Sequence, residues 1–105
     1  MANGRLAAVT PTATVDTLLY QVPSSSTGSL LISVCNTNTA SSNIRISIEN
    51  SSAVGIATTN CIEYETIISP YTSFERGGIV LGNQQKLFCE SSISGVNFIV
   101  YGYEE

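Results

Sequence analysis

Between Asn43 and Asn50 three isoleucines, Ile44, Ile46 and Ile48, alternate with Arg45, Ser47 and Glu49. Successive side chains of a strand point to opposite faces, so this spacing sets the isoleucines against a core and the polar set toward solvent. From Ser29 to Asn36 the pattern is denser, with Leu30, Ile32 and Val34 on one face and Leu31, Ser33 and Cys35 on the other. That density predicts a central strand covered on both faces. Further strands are expected at Leu18–Val22, Cys61–Ser69, Ser73–Leu81, Lys86–Ser91 and Val96–Tyr103. Helical periodicity is missing throughout.

Turn chemistry separates these runs. Pro23 with Ser24, Ser25 and Ser26 closes the first, Pro70 breaks the run after Ile68, and Ser94-Gly95 starts the last. Gly82-Asn83 reads as a short hairpin, and Gly77-Gly78 as a bulge or a close approach between strands. Residues 51–60 fit either a loop or a short strand around Val54–Ala57. The fold expected is all-β, an antiparallel sandwich or jelly roll of about seven to eight short strands. At 105 residues there is room for one core only.

Residues 1–17 read differently. Thr10-Pro11-Thr12-Ala13-Thr14 is small, β-branched and proline-containing, a composition for an extended arm ahead of a domain at residues 18–105. Leu6 and Val9 are the apolar residues such an arm would lay on a neighbour or on its own domain. Leu6 to Val9 is too short for the apolar core of a signal peptide or for a membrane span, so synthesis in a cytoplasm and no membrane contact are expected.

Only 11% of residues are charged, against about 25% in typical soluble domains. Ser, Thr and Asn supply the remaining polarity, and weak charge repulsion suits a surface that packs against other copies. The net charge is −4, and Arg5, Arg45, Arg76 and Lys86 are scattered, which argues against a nucleic-acid partner.

Chemistry finds little to stand on. Histidine is absent, removing the commonest general base and metal ligand. Glu63 and Glu65, at i, i+2, would share one strand face like an acid–base pair, but a charged strand edge explains them as well. Asp16 is the only aspartate, so no acidic calcium loop exists. Cys35, Cys61 and Cys89 match no zinc spacing and no disulfide framework, and read as three reduced thiols. Neither catalysis nor a cofactor is expected. Tyr64, Tyr71, Tyr101 and Tyr103 can stack on sugar rings. Tyr101 and Tyr103, however, fall at i, i+2 on one sheet face, a spacing that suits a core or a subunit interface.

The runs Leu19-Tyr20-Gln21-Val22-Pro23, Val34-Cys35-Asn36 and Ile62-Glu63-Tyr64-Glu65 stand in this order, followed by Gly78-Ile79-Val80-Leu81, Lys86-Leu87-Phe88, Val96-Asn97-Phe98 and Tyr101-Gly102-Tyr103-Glu104. Together they resemble a group of small tailed-bacteriophage structural proteins that read Leu-Tyr-x-Val-Pro, Val-Cys-Asn and Ile-Glu-Tyr-Asp at similar intervals. The resemblance spans roughly residues 18–104 and departs at Glu65, where the group often has Asp, and at Cys89. It implies a β-sandwich component of the virion, present in many copies, with no catalytic or ligand residue to carry over. The function expected is capsid decoration (a cement protein), binding the major capsid protein as a homo-oligomer. The alternatives are a tail, neck or baseplate component, or a glycan-binding adhesion module. Leu6, Val9, Tyr101 and Tyr103 are the expected interface residues.

Overall fold

The computed structural model describes residues 3–105. Eight strands follow in chain order: β1 Asn3–Val9, β2 Thr17–Gln21, β3 Gly28–Asn36, β4 Ser42–Glu49, β5 Cys61–Ile68, β6 Ser73–Leu81, β7 Lys86–Ser91 and β8 Val96–Glu104. One 3-10 turn, Thr58–Asn60, is the helical content among the described residues. The strands form two four-stranded sheets, β1-β8-β3-β6 and β2-β7-β4-β5.

The pairing is nested. β1 pairs β8, β2 pairs β7, β3 pairs β6 and β4 pairs β5, all antiparallel. The chain is thus one long antiparallel ribbon, turned back at residues 50–60 and rolled so that alternate segments fall in opposite sheets. That wrapping is the jelly roll. It corrects one expectation: Gly82-Asn83 is no hairpin, because β6 and β7 lie in different sheets. The Gly82–Gln85 turn instead carries the chain across, closed by a Gln85 N–H to Gly82 carbonyl bond of 3.2 Å.

The core lies between the sheets. Leu30, Ile32, Val34, Val96, Phe98 and Val100 of one sheet meet Leu19, Ile44, Ile46, Leu87 and Cys89 of the other, with Val22 just past the end of β2. The β4 alternation holds at Ile44 and Ile46, which are fully buried, while Ile48 is half-buried at the margin. Ser47 and Glu49, expected to meet solvent, are buried too, because residues 50–60 fold back over that side.

Residues 3–17 do not stand apart as an arm. Asn3–Val9 is the edge strand β1, paired with β8 from Asn3↔Tyr103 to Val9↔Phe98. Pairing there satisfies backbone groups that β8 would otherwise leave open, and it brings Leu6, Ala7 and Val9 against the core. Residues 10–16 cross to the second sheet.

All four edge strands are bulged, and the extra residue always sits on the edge strand itself. It falls between Arg5 and Ala7 on β1, between Leu18 and Tyr20 on β2, and twice within β5. On β6 it is the Gly77-Gly78 step, with Gly78 at φ +70°, as the paired glycines predict. The inner pairs β3–β8 and β4–β7 run without a break. Bulged edges twist away from regular pairing and discourage strand addition by another chain.

Candidate binding face

With the edges irregular, the surfaces open to a partner are the two outer sheet faces, and they differ. On the β2-β7-β4-β5 sheet the outward residues of β4 and β7 pair as Arg45↔Glu90, Ser47↔Phe88 and Glu49↔Lys86. The 50–60 segment lies over the last two pairs. Glu49 accepts the Ala57 N–H at 2.9 Å and the Asn60 amide at 2.7 Å, Lys86 donates to the Ala53 carbonyl at 3.0 Å, and Asp16 accepts the Ile56 N–H at 3.0 Å. Phe88 is buried as a result.

The uncovered remainder of that face combines an ionic cluster with exposed Leu18, Tyr64 and Ile67. Arg45 meets Glu65 at 2.5 Å and Glu90 at 3.6 Å, and its guanidinium lies 4.7 Å from the centre of the Tyr64 ring. Burial and the neighbouring Asp16 push the Glu90 carboxyl above its ordinary range, with Arg45 opposing. Glu63 and Glu65 do not form a carboxylate pair. A bulge separates them, with Glu65 at φ +54°, so Glu65 joins Arg45 while Glu63 meets Arg76 of the opposite sheet at 2.7 Å. These glutamates tie edges together and present no matched acid and base.

On the β1-β8-β3-β6 sheet no segment among the described residues covers the outer face. Register sets its residues in cross-strand rows: Asn3–Tyr103–Ser29–Val80, Arg5–Tyr101–Leu31 and Ala8–Ile99–Ser33–Glu75. Val80 is 71% exposed, Tyr103 51% and Leu31 37%, large apolar surfaces left to solvent. The Tyr101 hydroxyl donates to Glu75 at 2.5 Å, laying the ring across the sheet. β3 is therefore central, as its pattern predicts, yet covered on one face only. Its outward Leu31, Ser33 and Cys35 await a cover that the described residues do not supply.

Of the expected interface residues, Tyr101 and Tyr103 share this open face. Leu6 and Val9 turn inward against the core instead, because β1 folds onto its own sheet. Tyr64 lies beside Arg45 on the other sheet and Tyr71 in the β5–β6 turn, so the four tyrosines do not converge. Comparison with known proteins yields no matching family model, no matching curated protein and no matching solved structure. Arg5, Leu31, Glu75, Val80 and Ile99 are the face residues that sequence reading missed. The signal was present in the apolar residues on both faces of β3.

Proposed function

We propose that this chain is a bacteriophage virion structural protein, a capsid decoration protein that binds the assembled shell in many copies, with the major capsid protein as its partner. One observation carries the reading: a jelly roll with bulged edges covers part of one sheet with its own loop, while among the described residues the other sheet stays open, with Leu31, Val80 and Tyr103 exposed and only two charged side chains on its face. A face of that kind suits broad, flat contact with a rigid surface, where affinity comes from apolar area and weak charge imposes little desolvation. The motif resemblance to small phage structural proteins supports it, and so, by analogy of fold alone, does the use of jelly rolls in viral shells. Binding only to the assembled state stabilises that state by mass action, and so reinforces the shell.

The test is mass spectrometry of purified virions combined with tomography of the same particles. Copies spread over the head support decoration. Copies confined to the tail, neck or baseplate make the chain a component of that structure instead. Copies confined to the tail tip, together with retention on a glycan array, make it an adhesion module.

A further inference from the structure

The open sheet carries two charged side chains on its outward rows, and they sit on opposite edge strands: Arg5 on β1 and Glu75 on β6. Arg5 forms no ion pair among the described residues. It stands level with Tyr101 and Leu31, while Glu75 stands level with Ser33, two residues along β3, or about 7 Å. The Tyr101 hydroxyl lies against Glu75.

This arrangement is complementary to itself. A two-fold axis lying in the face and parallel to the strands sets β1 of one copy over β6 of the other, and so faces each Arg5 with a Glu75 offset about 7 Å along the strands, within reach of the two long side chains. An in-plane axis perpendicular to the strands sets β1 over β1 and opposes like charges. Four strands about 4.8 Å apart and about 30 Å long give a face of roughly 600 Å² in plan. Side-chain relief brings that close to the ~800 Å² per partner of a standard interface. Sheets stacked face to face keep their strands within about 30° of each other.

We propose that a second copy of this chain covers the β1-β8-β3-β6 face. The two sheets stack about an axis parallel to the strands, with Leu31, Val80, Ile99, Tyr101 and Tyr103 buried between them and two Arg5–Glu75 pairs at the margins. The proposal rests on the reading of a chain present in many copies, and names the surface through which those copies meet.

Sedimentation velocity on the purified chain tests it, with far-UV circular dichroism confirming the fold of every variant. The wild type should be a dimer at about 100 µM, above the Kd expected for an interface of this size. Arg5→Glu and Glu75→Arg should each weaken association by about tenfold, and the double exchange should restore it to within about threefold of wild type. Leu31→Arg, at a position already exposed, should leave a folded monomer. A wild type that stays monomeric overturns the dimer, as does an association that neither charge variant nor Leu31→Arg weakens. A monomer found on virions overturns the dimer and leaves the virion reading in place; a dimer never found on virions does the reverse.

Discussion

Tyr20 on β2 of one sheet donates its hydroxyl to the Glu104 carboxylate on β8 of the other, 84 residues away, and both groups are buried. The bond ties the two sheets at one end of the sandwich. Tyr20→Phe leaves the buried carboxylate short of a donor and should cost about 1–3 kcal/mol in urea unfolding. Burial first, then the Glu104 bond, holds the Tyr20 phenol well above its ordinary pKa. A tyrosine raised in the folded state contributes its stability fully below about pH 10 and loses it as pH climbs further. Wild type should therefore weaken above about pH 10 more steeply than Tyr20→Phe, a difference that urea midpoints across that range would show.

Asn36 closes the other end of β3. Its buried amide donates to the carbonyls of Ala40 at 2.9 Å, Ile68 at 3.1 Å and Ser69 at 3.4 Å, and its oxygen accepts the Asn38 N–H at 3.0 Å. Asn36→Ala should cost about 2–4 kcal/mol, from unpaired carbonyls and a cavity. Asn36→Asp should be worse at pH 7 than at pH 4, since it points a carboxylate at carbonyl oxygens. Chemical unfolding at the two pH values would separate the effects.

The core-facing set of β4 was legible because a period of two has one physical meaning, and Ile44 and Ile46 follow it. What alternation cannot carry is tertiary cover. Ser47 and Glu49 look like solvent residues until a loop closes over them, and Leu31 looks like core until that face is seen to be open. The wrapping was also hidden, since Gly82-Asn83 has the chemistry of a hairpin whether it joins neighbours or crosses between sheets. Asn36 stands inside a motif that could be quoted, but its role depends on carbonyls from β5 and from residues 40 and 69, which only folding brings together.

Glu49 gives the acid side of the stability profile. Burial alone would raise its carboxyl, but the Ala57 N–H and the Asn60 amide outweigh that and hold it below the ordinary glutamate range. A carboxyl lowered in the folded state stabilises above its unfolded pKa, near 4.3, and loses that contribution as pH falls through the folded value. Glu49→Gln should thus be less stable than wild type at pH 7, with the gap closing below about pH 4. Thermal midpoints at both pH values would check it, and a gap independent of pH would mean the loss comes from packing.

The three thiols are free, and they should react in an order set by burial. Cys89 lies in the core, where burial pushes its pKa up to about 12, while Cys35 and Cys61 are half-buried. Iodoacetamide followed by peptide mapping should modify Cys61 in the native protein, Cys35 as well at concentrations low enough to keep the chain monomeric, and Cys89 only after denaturation. Rapid native labelling of Cys89 would contradict its placement between the sheets.

Gly102 pairs with Gly4 of β1 and Leu30 of β3 in the middle of the open sheet. Its φ is +147°, and a Cβ built there would stand 2.1 Å from the Ser29 carbonyl oxygen and 3.1 Å from the Leu30 Cα. Both obstacles are backbone, so relief requires β3 and β8 to part, breaking the longest regular pairing in the molecule. Gly102→Ala should therefore cost more than about 3 kcal/mol, or prevent folding. Gly78, at φ +70°, has open space where its Cβ would go. Gly78→Ala thus meets backbone strain alone, about 1–2 kcal/mol. Urea unfolding of both variants side by side distinguishes close approach from conformational strain: equal losses would place the two glycines under the same constraint and remove the steric role assigned to Gly102.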